Sequence, residues 1–131
     1  MTNYDLEAKK HFGETEAYKE YEQKTANYTK DKMQSINDGL MDIFAKFSLC
    51  LKNGNTADSN EAQALVKELQ NYITENYYTC TNQILAGLGQ MYVADERFKN
   101  NIDKNGNGTA EFVSKAIENY INGWHSYLSL L

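Results

Sequence analysis

The sequence predicts an all-α single domain, and three observations carry that reading. None of the 131 residues is proline, so no residue within a helix lacks its backbone donor. Apolar residues recur at three- and four-residue spacing over several long segments, the stripe of an amphipathic helix. No stretch carries a competing strand signal, and no internal repeat is present. A chain of this length buries roughly two-thirds of the surface it would expose unfolded, enough for a core without staples.

Taken in order, residues 1–28 read as an arm and residues 29–131 as a helical core. Asp5 to about Tyr28 forms a charged, aromatic segment, predicted as two helices broken near Gly13. Thr15 is placed to cap the second, with Glu16 in its first turn. Between Asn3 and Lys32 the sole Leu, Ile, Val or Met is Leu6. The remaining apolar content is Tyr4, Phe12, Tyr18, Tyr21, Tyr28 and three alanines. Short helices with so little to bury are marginal in water, so the arm is expected to be loosely anchored. Thr29 then caps a core helix whose stripe is Met33, Ile36, Leu40, Ile43, Phe44, Phe47 and Leu51, ended by Asn53-Gly54. Ser59 starts the next helix, with Leu65, Val66, Leu69, Tyr72 and Ile73 inward and an end near Asn76. A further helix is predicted from about Thr79 to Tyr92, and Asp95 caps a short one carrying Phe98 and Ile102. After the loop Asn105-Gly106-Asn107-Gly108, Thr109 is placed to cap the last helix. Its stripe runs through Phe112, Val113, Ala116, Ile117, Tyr120, Ile121, Trp124 and Leu128.

Composition removes several functions. The formal net charge is −5 and Arg97 is the lone arginine, so there is no basic run to clamp phosphates and direct nucleic-acid binding by this stretch is not expected. No window of about 18 apolar residues could span a membrane. The start lacks an apolar signal core, so Cys50 and Cys80 are expected to be free thiols in a reducing cytoplasm. His11 and His125 are too few and too far apart for a metal cluster. No phosphate loop or nucleophile elbow occurs, and the residues give no support for an enzyme or a cofactor.

Asp103-Lys104-Asn105-Gly106-Asn107-Gly108 mimics the first half of a calcium loop, but position twelve is Ser114 where a bidentate acid is required. A polar turn between helices is the reading retained. At helical spacing Cys80, Ile84, Gly87 and Met91 form one row, and Ala86, Gly87 and Gly89 make the helix thin. Each interior glycine costs about 0.5–1 kcal/mol relative to alanine, so close approach of either another helix or a ligand is implied. Cys80 has two readings: a thiol of lowered pKa at a helix N-terminus, or a small buried hydrophobe. Tyrosine is abundant, ten in all. Tyr18 and Tyr21 share a face, and Tyr77, Tyr78 and Tyr92 bracket the thin helix. Such rings either complete the core or offer a large flat ligand wide contact area with polar tips.

Three strings are distinctive: FGETEAYKEYEQKTANYTK (12–30), YYTC (77–80) and LGQMYVADERFKNNID (88–103), followed by a helix start of the form Gly-x-x-x-Phe. They resemble the TipAS domain, the antibiotic-recognition domain of thiostrepton-induced, MerR-type transcription activators, over about Lys10 to Tyr120. The resemblance implies a globin-like helical fold without haem, of six to seven helices. It also implies a hydrophobic cleft for thiopeptides or other multi-ring drugs, and mobile N-terminal helices that close over the ligand. Carried onto this chain, the expected ligand-binding set is Phe12, Tyr18, Tyr21, Tyr28, Tyr77, Cys80, Ile84, Gly87, Leu88, Met91, Tyr92 and Phe98. One departure stands out. Where the thiopeptide-trapping pattern has a cysteine that adds to a dehydroalanine of the drug, this chain has Gly87. Cys80 lies seven residues away, about 10 Å along a helix axis, so reversible binding is expected. The MerR-type helix-turn-helix would have to be supplied elsewhere in a longer protein. The competing readings are a stand-alone drug-sequestering protein, a haem or calcium protein, and a thiol enzyme using Cys80.

Overall fold

The computed structural model describes residues 15–130, with side chains through residue 123. Expectations placed on Phe12, Gly13, His11, Trp124, His125 and Leu128 therefore lie outside the described residues or side chains. Among the described residues the chain forms six α-helices and no strand: α1 (Glu16–Thr25), α2 (Lys30–Lys52), α3 (Asn60–Asn76), α4 (Asn82–Ala94), α5 (Glu96–Asp103) and α6 (Thr109–Leu130).

Capping chemistry sets most of these boundaries. The side chains of Thr15, Thr29 and Ser59 accept from Tyr18, Lys32 and Ala62 backbone N–H groups at 3.1, 3.0 and 3.1 Å. Each satisfies one of the donors that a helix start leaves orphaned. Asp95 does the same for α5 through Arg97 N. At the end of α2, Asn53 N–H donates to Leu49 O, and Gly54 follows with φ +84, the left-handed setting that glycine takes without Cβ strain. Two starts differ from expectation. α4 begins at Asn82, not near Thr79, because the Thr81 hydroxyl caps it by accepting from Ile84 N. For α6 the cap is Asp103 and not Thr109: an Asp103 carboxylate oxygen accepts from Ala110 N at 2.9 Å, while the buried Thr109 hydroxyl donates to Gly106 O. The same contact explains the loop 103–108. Its first acidic oxygen is committed to the helix start, and the Asn105 amide donates to Ile102 O and Met41 Sδ; it is a turn.

The core is the shared inner face of α2, α3, α4 and α6, with Phe47, Val66, Leu69, Leu85, Val113 and Ile117 at or near zero exposure. α6 is central, touching α2, α3, α4 and α5, with its broadest contact on α4. Phe47 and Phe112 meet edge to face at 6.4 Å, and Phe44 meets Tyr92 likewise at 5.5 Å.

One close approach is specific to α2 and α3. The Tyr72 hydroxyl crosses the α2 backbone at Gly39 and donates to Ile36 O at 2.7 Å. A Cβ at residue 39 would overlap the phenol oxygen. Gly39→Ala should therefore lower stability by about 1 kcal/mol in urea unfolding, because displacing a half-buried, hydrogen-bonded ring outweighs alanine's helix propensity. A gain in stability would refute this account of Gly39.

Candidate functional site

α1 carries few apolar residues, and three polar contacts join it and Tyr28 just beyond it to the last turn of α3 and the link that follows. Lys24 Nζ donates to Thr74 O at 2.8 Å and the Tyr28 hydroxyl to Asn76 O at 3.0 Å. Both acceptors lie in the last turn of α3, where carbonyls lack intrahelical partners. Glu20 Oε1 accepts from both the backbone N–H and the hydroxyl of Thr79, at 2.6 and 2.7 Å. The rings complete the joint. Tyr18 is buried, Tyr21 lies 5.8 Å from it, and Tyr21 stacks on Tyr77 at 6.4 Å. From Tyr18 onward, then, the arm's rings find partners within the chain itself, one of the two readings their abundance left open. Glu20, Lys24 and Thr79 were missed by sequence reasoning, since nothing in their spacing marks a contact 59 or 50 residues away.

The segment 77–81 links α3 to α4 and is held from both α2 and α3. The Tyr77 hydroxyl donates to Asn37 Oδ1 at 2.7 Å. Thr74 Oγ1 accepts from Cys80 N, and Gln70 Nε2 donates to Cys80 O. Cys80 thus stands ahead of the α4 cap and outside the helical row that spacing assigned it. It is 4% exposed, and burial pushes its thiol up to about 11 from 9.0. This corrects the lowered-pKa reading: the helix start belongs to Thr81, and desolvation dominates. Burial raises the phenols of Tyr77, Tyr78 and Tyr92 as well, with neighbouring phenols adding to the effect at Tyr77 and Tyr92.

The two readings of the thin helix divide between its glycines. Gly89 is buried, and a Cβ there would sit 3.1 Å from Ile117 Cγ2 and 3.3 Å from Ile117 Cβ; it is where α4 crosses α6. Gly87 is exposed, and among the described residues no atom lies within 4 Å of a Cβ built on it. Around Gly87, the half-buried Ile84, Leu88 and Met91 form an apolar row. Leu85, Gly89 and Tyr92 face the core. Phe98, half-buried, extends the surface from α5 at 6.4 Å from the Tyr92 ring. On another flank of α4, a cavity of about 200 Å³ opens between α4 and α6, lined by Ala86, Gly89, Gln90 and Ser114 among others. The structure thus places Tyr18, Tyr21, Tyr28 and Tyr77 at the α1–α3 joint and Ile84, Gly87, Leu88 and Met91 on the outer face of α4. Tyr92 and Cys80 lie buried.

Three measurements follow. Gly89→Ala should cost about 1 kcal/mol through overpacking against Ile117, whereas Gly87→Ala should gain about 0.5–1 kcal/mol from helix propensity alone. Paired urea titrations separate them. Groups whose folded pKa is raised contribute stability that is present below their ordinary value and lost as pH rises toward the folded one. Stability should hold to about pH 9 and fall above it, and native Cys80 should react slowly with a disulfide reagent until the chain is unfolded.

Comparison with known proteins places these features in a family. Residues 4–120 match the model of the TipAS antibiotic-recognition domain. The chain is 36% identical over 114 residues to the HTH-type transcriptional activator TipA of Streptomyces coelicolor, covering 87% of this chain and 45% of that protein. It is 34% identical to the HTH-type transcriptional activator mta of Bacillus subtilis, covering 87% and 43%. The chain therefore spans less than half the length of these activators. Among solved structures, TipAS of a Streptomyces lividans thiopeptide multidrug resistance system, in complex with nosiheptide, superposes with a TM-score of 0.82 at 34% identity. It covers 92% of this chain and 84% of that one. The antibiotic-binding domain of a TipA-class multidrug resistance regulator gives 0.63 at 32% identity, covering 69% and 96%.

Proposed function

The chain belongs to the TipAS antibiotic-recognition domain family, and from that premise we propose that it is the ligand-binding effector domain of a MerR-type, drug-responsive transcription regulator. Its ligand is a large hydrophobic molecule of several rings, thiopeptide-like in size, held reversibly on the outer face of α4 and covered by the N-terminal arm. The observation that carries this reading is the apolar row Ile84, Leu88 and Met91, opened at Gly87 where the backbone meets no described neighbour. A flat ring system can lie directly on such a surface, and a glycine there, unexplained by packing, is accounted for by that approach.

The arm supplies the response. Its described part is tied to α3 by a handful of polar contacts and two rings, a small gain against the entropy of ordering a segment with one aliphatic residue of its own. A ligand that touches both α4 and the docked arm binds the docked state better, and this differential affinity is what shifts the population. The DNA-binding half belongs to the remainder of a longer cytoplasmic protein, since this domain has the wrong charge for the task. Binding is non-covalent: Gly87 stands where the trapping pattern has a cysteine, and Cys80 is buried with its thiol held protonated.

Calorimetry with nosiheptide and amide exchange test the proposal together. Residues 5–28 should gain protection on binding, intact mass should show no adduct, and Gly87→Leu should fold normally yet bind at least tenfold more weakly. Binding without new protection in the arm would remove the lid from the mechanism, and an adduct on Cys80 would overturn reversibility.

A further inference from the structure

Gly87 lies between two unlike strips of α4. At 3.6 residues per turn, the third residue before and the fourth after a position fall on one side of it, and the fourth before and third after on the other. For Gly87 the first pair is Ile84 and Met91, members of the apolar row, and the second is Gln83 and Gln90, both exposed. Nothing described lies within 4 Å of a Cβ built on Gly87, so no side chain stands between the two strips. Gln90 also lines the cavity of about 200 Å³ between α4 and α6, whose lining includes the tight crossing of Gly89 on Ile117. Ser114, Glu118 and Asn122, on successive turns of α6, complete its polar side. Among the described residues none of these four side chains is committed to a hydrogen bond or ion pair. Ser114 is half-buried and the other three are exposed, so each can exchange water for a ligand group. Glu118 is the one charged residue of the described lining, and residues 77–94 contain no Asp, Glu, Lys or Arg.

Sites for whole drug-sized ligands run to about 300–1,000 Å³, so this cavity is too small for a multi-ring molecule and large enough for one of its substituents. We propose that it is a polar subsite of the drug cleft, reached across Gly87, and that it takes an amide-bearing edge of the ligand. The rings lie on Ile84, Leu88 and Met91, while the amide N–H donates to the Glu118 carboxylate and its carbonyl accepts from the Gln90 carboxamide. An amide brings one donor and one acceptor, which is what the two strips of side chains around the cavity can answer. A carboxylate acceptor strengthens the N–H contact and repels an anionic group. The inference rests on the reading of this chain as a drug-binding domain and adds direction to it: the apolar row alone does not choose among equally hydrophobic molecules, whereas hydrogen-bonding groups do. It also gives glycine a reason at position 87, where any side chain would stand across the path from row to cavity.

Calorimetry with nosiheptide on wild type, Gln90→Ala, Glu118→Ala, Glu118→Gln and Lys115→Ala tests the subsite. All the substituted side chains are exposed, so the fold stands without them. Gln90→Ala and Glu118→Ala should each raise Kd about fivefold, the effect of one hydrogen bond lost at a partly open site. Glu118→Gln keeps an acceptor oxygen and should stay within about twofold of wild type. Lys115→Ala, on α6 but outside the cavity lining, should match wild type. Equal affinity across the series overturns the subsite and leaves a ligand lying on the apolar row alone, with the drug-binding reading intact. Glu118→Gln as weak as Glu118→Ala overturns the amide assignment, since the charge and not an acceptor oxygen would then be read. If wild type itself ignores nosiheptide, the reading of a thiopeptide receptor falls, and this inference with it.

Discussion

The contact of α4 with α6 governs the rest of the molecule. At Gly89 the two helices approach so closely that a methyl group would press on the buried Ile117 side chain, and interiors packed to crystal density have little room to yield. This contact sets the rotation of α4 about its own axis. With Gly89, Leu85 and Tyr92 turned inward, the period of 3.6 residues leaves Ile84, Leu88 and Met91 half out of the core and Gly87 fully out. A helix set a third of a turn differently would bury that row and expose the tyrosine. The apolar outer face is thus a geometric consequence of the inner one.

The arm is built on a different physical basis. Where the core gains from apolar area, α1 and Tyr28 beyond it gain from meeting two last-turn carbonyls of α3 and the Thr79 amide of the link. Such contacts are individually worth about 1 kcal/mol, somewhat more where a charge takes part, and they exchange readily for water. Segments held in this way belong to the low-stability end of a protein, from which elements that move in response to ligands are drawn. The core and α1 are thus held by different kinds of contact, apolar area in one and hydrogen bonds to helix-end groups in the other.

Cys80 and Gly87 show how much a short shift in helix register matters. Counting the cysteine into α4 put it in line with Gly87 and made it a candidate nucleophile. The Thr81 cap removes it from the helix, its backbone is taken by Thr74 and Gln70, and burial keeps its thiol protonated. A residue type with reactive potential becomes part of the wall, because two side chains on a neighbouring helix had free polar groups at the right distance.

Helix number, most caps and the core stripe were legible in the residues alone, because each depends on neighbours within four positions. Thr15, Thr29, Ser59 and Asp95 cap where their side chains reach their own backbone, and the spacing of Ile36, Ile43, Phe44 and Phe47 already describes a buried face. Tertiary packing decided the rest: Asp103 in place of Thr109 as the cap of α6, Glu20 on Thr79, Tyr72 over Gly39, and the division of labour between Gly87 and Gly89. Those contacts join segments of the chain that local pattern cannot relate. Two glycines two residues apart look alike until a second helix lies against one of them.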